Sequence, residues 1–195
     1  MDKILAAIFI NAFAFGAVVA QDDRWVSPSG ADYPRAPAVG NKLADFVPPG
    51  FEIVKSVSGD LNGDGLADAA LHIKGTAKKF QNANEGLGAV AFDLNPRILL
   101  ILIKERTSFR LAEQSNTFII PPDDPVSSEP FSDMSIKNGV LRIDFELWQS
   151  AGGWGRTDAS YKFRYRAGDF QLIGVDRRDS RRNTGEMEEW SYNFV

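Results

Sequence analysis

The sequence contains no cysteine and a single histidine, His72. The first absence excludes disulfides, a thiol nucleophile, a lipoprotein anchor and any thiolate zinc site. The second leaves a Ser–His–Asp triad or a histidine metal cluster short of partners, and no Gly-x-Ser-x-Gly elbow occurs. Sustained helical periodicity is missing from the chain beyond residue 20. Positive charge is not in excess either: 22 Lys and Arg stand against 26 Asp and Glu, a net charge of −4. Such a chain has no electrostatic footprint for nucleic acid or for an anionic bilayer. What remains is ordinary globular composition, 44% hydrophobic and 25% charged, with 14 Phe, 4 Trp and 4 Tyr for an aromatic-rich core.

Long apolar runs are confined to the start. Ile4 to Phe15 is broken only by Asn11, and Gly16-Ala17-Val18-Val19-Ala20 follows. The pattern predicts a signal peptide over residues 1–20, cleaved before Gln21. The alternative is an uncleaved anchor, because Ile4 to Ala20 reaches the short end of a membrane span, ~17 residues. The small residues at its end favour cleavage, which places the protein in the periplasm or outside the cell with no membrane span left. Cleavage removes one acid, Asp2, and one base, Lys3, so the net charge does not change. Residues 21–45 carry Pro28, Gly30, Pro34, Pro37 and Gly40 and read as a flexible leader. Residues 46–195 read as one β-domain.

Within that domain the period is two. Phe51, Ile53 and Val57 alternate with polar residues, as do Ala69, Leu71 and Ile73 with His72 and Lys74, so two half-buried strands flank an acidic loop. Ile98 to Ile103 is a continuous apolar run, which suits a strand buried on both faces. Phe109 to Ile120 supplies another strand. Asn138-Gly139 marks a hairpin, since that pair readily takes positive φ. Leu141, Ile143, Phe145 and Leu147 then alternate with Arg142, Asp144, Glu146 and Trp148, followed by Tyr161, Phe163 and Tyr165 against Lys162, Arg164 and Arg166. A last strand places Trp190, Tyr192 and Phe194 on one side. The expected fold is all-β, an antiparallel meander or sandwich-like single domain.

The acidic loop is Asp60-Leu61-Asn62-Gly63-Asp64-Gly65-Leu66-Ala67-Asp68. Calcium takes six to eight hard oxygens, and side chains at alternate positions of a tight loop converge on one point. Asp60, Asn62 and Asp64 offer side-chain oxygens, Leu66 a carbonyl, and Asp68 closes the set in the ninth position. Gly65 stands where the backbone must turn sharply. The beginning fits an EF-hand and the end does not, because the twelfth residue is Leu71 within an alternating strand. An ion-free Asx and glycine turn is the competing reading. With its flanking strands, Phe51 to Lys74, the loop resembles the calcium loop of VCBS/FG-GAP-type, integrin-like repeats, whose pattern Asp-x-Asn-x-Asp-Gly-x-x-Asp it meets. There is one copy, so a full propeller is not expected. The mature chain also resembles an uncharacterised family of exported bacterial proteins over Phe46–Phe51, Gly59–Leu71, Arg97–Ile101, Gly152–Arg156, Phe163–Asp176 and Asn183–Glu186. That resemblance implies compartment and fold and carries no activity.

Other residues offer weaker chemistry. His72 reads as a surface residue on the polar side of its strand. Asp144 and Glu146 share a strand face as a glycosidase acid/base pair does, but Lys162, Arg164 and Arg166 on the next strand account for them as cross-strand ion pairs. The Arg177-Arg178 and Arg181-Arg182 pairs are interleaved with acids and read as a solvated mixed-charge face. Trp154 stands among glycines on a loop, with Trp148 and Arg156 nearby, and forms either an aromatic platform for a sugar ring or protein, or a lid folded onto the sheet. The expected function is therefore a calcium-binding, non-enzymatic binding or structural role in the cell envelope, toward an unidentified protein or envelope glycan. The alternatives are a carbohydrate-binding or hydrolytic envelope protein and a periplasmic inhibitor or immunity-type protein.

Overall fold

The computed structural model describes residues 25–122 and 124–194. The expected signal peptide, residues 1–20, and the first four residues of the leader lie outside that range. No helix among the described residues is long and apolar enough to cross a membrane.

The fold is all-β, two five-stranded antiparallel sheets packed as a single-domain sandwich. In the first sheet the order is β1 (Val39–Gly40), β7 (Ser108–Ser115), β6 (Arg97–Glu105), β3 (Asp68–Gly75) and β2 (Phe51–Gly59). The second is a meander of β12 (Met187–Asn193), β11 (Asp169–Arg181), β10 (Gly155–Arg166), β9 (Val140–Trp148) and β8 (Phe131–Lys137). A small ladder of β4 (Gln81–Ala83) and β5 (Ala91–Asp93) stands apart. The β8–β9 turn uses Asn138 and Gly139 at φ 53° and 72°, the mirror-image turn that matches the twist of a hairpin. Ala167 and Gly168 turn β10 into β11 in the same way, at φ 53° and 87°.

Two apolar layers result. Between the sheets lie Leu99, Ile101 and Ile103 of β6, Leu141, Ile143 and Phe145 of β9, and Tyr161 and Phe163 of β10. Phe118 meets Phe145, Tyr161 and Phe163 edge-on, with ring centroids 5.3–5.6 Å apart, the geometry that ring quadrupoles favour. The other layer covers the outer face of the first sheet, where Ala36 and Phe46 pack on Leu71, Ile73, Ile98, Leu100 and Leu102.

That second layer corrects two expectations. Residues 25–45 are not a flexible leader: β1 pairs with β7, and Gln114 accepts from the Ala36 amide and donates to the Pro34 carbonyl, both at 2.9 Å. Composition pointed to a linker, yet the prolines shape a cover strip whose few apolar side chains fill the sheet. β3 is consequently buried on both faces, and His72 is 1% exposed where a surface position was expected. Its even-numbered residues face the second sheet and its odd-numbered ones the cover strip. On the β2 edge, a bulge between Ile53 and Lys55 shifts the phase, so Phe51 packs under the cover strip while Val57 faces the second sheet. Ile53, assigned by simple alternation to a buried face, is 40% exposed.

Candidate functional site

The Asp60–Asp68 loop joins edge strand β2 to central strand β3. Gly63 and Gly65 take φ of 83° and 82°, the left-handed region that a side chain resists, and this is what lets the loop reverse so tightly. Its side-chain oxygens then organise its own backbone. Asp60 accepts from the amides of Gly63 (2.7 Å) and Gly65 (2.9 Å), Asn62 from Asp64 (3.0 Å), and Asp64 from Leu66 (2.8 Å). The Asn62 side-chain amide also donates to Asp64 at 3.0 Å. The Gly65 amide leads the contacts that hold the Asp60 carboxyl below its ordinary range.

Asp68 behaves differently. Its carboxylate turns inward and is 0% exposed. One oxygen accepts from the Leu61 amide and the other from the Lys104 amide, each at 2.8 Å, which ties the loop to β6. Among the described residues no basic side chain pairs with it. Burial raises its pKa, the two amides oppose that rise, and the Asp64 charge adds to it. A carboxylate in this state is the anion that a nearby cation would relieve, because buried charges are normally paired or bound to metal.

Because Asp68 points inward, no group of three acidic or histidine side chains is gathered around a common point among the described residues. The donor chemistry nevertheless suits calcium: Asp60, Asn62, Asp64 and the Leu66 carbonyl present only hard oxygens. Each carboxylate oxygen engaged by an amide keeps acceptor capacity for an ion, since a carboxylate offers about four lone-pair sites.

The loop forms one wall of an open groove of about 490 Å³. The facing wall is Ile136, Asn138 and Gly139 of the β8–β9 hairpin, with Arg164 and Tyr165 of β10. Gly59 is required where the sheets meet, because a β-carbon there would lie 2.5 Å from Ile136 Cγ2.

The tryptophan region lies on the second sheet, away from the loop. Trp154 is 64% exposed. Trp148 is half-buried with the Arg182 guanidinium 5.2 Å above its ring. Arg156 sits opposite Trp148 and pairs with Glu146 (3.1 Å) and Asp158 (3.0 Å). Sequence reading missed Arg182, which donates to the Gln149 and Gly153 carbonyls at 2.6 and 2.9 Å and so fixes the glycine loop. Its place among alternating charges concealed that role. The register also reassigns the charged face. Asp144 lies opposite Ser160 and pairs with Arg142 of its own strand, whereas Lys162 pairs with Asp176 of β11. Glu146 is taken by Arg156, so neither acid meets Lys162, Arg164 or Arg166 as alternation alone suggested. The other arginines do form a mixed-charge face: Arg177 with Asp179, Arg178 with Glu189, Arg181 with Glu186.

No protein-family model, curated protein or solved structure matches the chain.

Proposed function

We propose that this protein is an exported, calcium-stabilised β-sandwich with a non-enzymatic binding or structural role in the cell envelope, periplasmic or secreted. The observation that carries the reading is Asp68, a fully buried carboxylate without a basic partner at the closing position of an all-oxygen loop. In this reading Asp60, Asn62 and Asp64 hold Ca2+ with the Leu66 carbonyl, and Asp68 anchors the loop from its inward position, where the ion's charge relieves its own. The ion supplies the positive charge that the loop's three carboxylates lack, and so locks the β2–β3 connection. The leader pattern of residues 1–20 supports export. The partner is a protein or an envelope glycan, and the exposed Trp154 with Trp148 and Arg156 is the surface that favours a binding role.

The test is a thermal melt of the chelated protein, repeated with calcium and with equal magnesium. Extracellular modules bind calcium at ~10⁻⁴–10⁻³ M, and at a hundred times that constant the native state gains about 2.7 kcal/mol. Calcium is expected to raise the melting temperature selectively, and Asp64→Ala to abolish the rise. An identical calcium response in Asp64→Ala removes the assignment.

A further inference from the structure

β12 closes the second sheet with nothing on its outer side among the described residues, and every residue in it is exposed. Trp190, Tyr192 and Phe194 share one face; Tyr192 and Phe194 are about half exposed, and Met187 on the other face is 67% exposed. Native sheets usually blunt such an edge with proline, a bulge or charge, because its free amides and carbonyls template another strand. β12 has no proline and no bulge in its pairing with β11.

The ladder shows which groups are free. Phe194 donates to Ile173 and Arg181 donates to Glu186, so the even-numbered residues of β12 bond inward to β11. Antiparallel strands alternate this direction, so the amides and carbonyls of Met187, Glu189, Ser191 and Asn193 point outward. Charge selects the occupant. Acids crowd the start of the strand, Glu188 and Glu189, while its end is aromatic and polar. A parallel second copy would set each acid beside its twin. An antiparallel copy centred on Trp190 sets Glu189 opposite Ser191 and Glu188, which makes no ion pair among the described residues, opposite Tyr192. That register also pairs outward-facing odd residues with outward-facing odd residues, as hydrogen bonding requires.

We propose that β12 is a homodimerisation edge, pairing antiparallel with β12 of a second copy about a two-fold axis at Trp190 to join the two second sheets into one. In this register the two Trp190 residues form a non-hydrogen-bonded pair with Cα atoms about 4.5 Å apart, within the range a disulfide spans. The chain has no native cysteine, so Trp190→Cys supplies the sole thiol.

The experiment is sedimentation velocity on the purified protein across a concentration series, with oxidative cross-linking of Trp190→Cys against Lys137→Cys as a distant exposed control. Expected are a concentration-dependent species of twice the monomer mass, and covalent dimer forming at least about ten-fold faster for Trp190→Cys, because pre-aligned thiols react as an intramolecular pair. Ser191→Pro, which removes an outward amide and the hydroxyl bond to Asp176 but leaves the backbone bonds to β11, is expected to sediment as monomer, whereas Ser191→Ala, which loses only the hydroxyl bond, still dimerises. A protein monomeric at every concentration overturns the proposal, as does a dimer that survives Ser191→Pro or cross-linking no faster than the control. If Ser191→Pro does not fold, the cross-linking comparison decides.

Discussion

Replacing His72 with leucine is expected to stabilise the protein, and to do so more strongly as the pH falls. Both ring nitrogens are buried without a hydrogen-bond partner, and the ring lies edge-on to Phe131 at a centroid distance of 4.5 Å. Burial, with smaller contributions from the charges of Arg97 and Lys74, lowers the His72 pKa from 6.5 to about 3. The folded state therefore holds the imidazole neutral where the unfolded chain protonates it. The sign follows from proton uptake: the unfolded state binds more protons, so stability falls as the pH drops below about 6.5, by about 1.4 kcal/mol per unit, until the pH reaches about 3. At about pH 5 the loss amounts to about 2 kcal/mol. Leucine removes this slope and also removes the two unsatisfied nitrogens, each worth about 1–3 kcal/mol of desolvation. Urea midpoints for the wild type and His72→Leu at about pH 7 and about pH 5 measure both effects. This is the chain's one histidine, so the difference between the two proteins in that window isolates it. Asp68, whose pKa burial raises, acts with the opposite sign in both proteins and cancels from the difference. Parallel pH slopes for the two proteins would refute the reasoning.

Two further outcomes check the packing of the described charges and aromatics. Arg97 is fully buried, bidentate to Glu129 at 3.0 and 2.6 Å and bonded to the Asn95 and Asp93 carbonyls, so Glu129→Gln strands a buried guanidinium. The expected loss is about 2–3 kcal/mol in urea unfolding, below the usual figure for a buried pair because Glu129 itself is half-exposed. Trp154→Ala is expected to shift stability by about 0.5 kcal/mol or less, since the side chain projects from the surface, whereas Trp148→Ala costs about 1–3 kcal/mol by removing a half-buried ring and the contact beneath Arg182. Equal losses for the two variants would show that Trp154 is a lid after all.

Much of the second sheet was legible because each of its signals is local. Asn138-Gly139 requires a tight turn, and the alternation of Leu141, Ile143 and Phe145 is read correctly as a core face. The unbroken run from Ile98 to Ile103 likewise fits a strand covered on both sides. What escaped was decided at long range. His72 looks like a surface residue until a strip from about twenty-five to forty residues upstream covers the opposite side of its sheet and leaves the His72 face to pack on Phe131 of the second sheet. Ile53 was misplaced by a single bulged residue, which no alternation pattern reveals. At the loop, the sequence shows which oxygens exist, but the inward turn of Asp68 depends on the Lys104 amide of a strand that pairs only in the folded sheet.

The cover strip has a consequence for the order in which the molecule assembles. Its anchor, Gln114, lies about eighty residues after Pro34 and Ala36, so the strip docks only when almost all of the first sheet has been made. Contacts of such long separation must await the closure of a large loop before they return any energy. A chain delivered N-terminus first therefore carries Leu71, Ile73 and Leu100 uncovered until β7 arrives. During that interval the outer face of the sheet is an adhesive surface, and the segment best able to shield it is already present upstream, waiting for its partner to be synthesised.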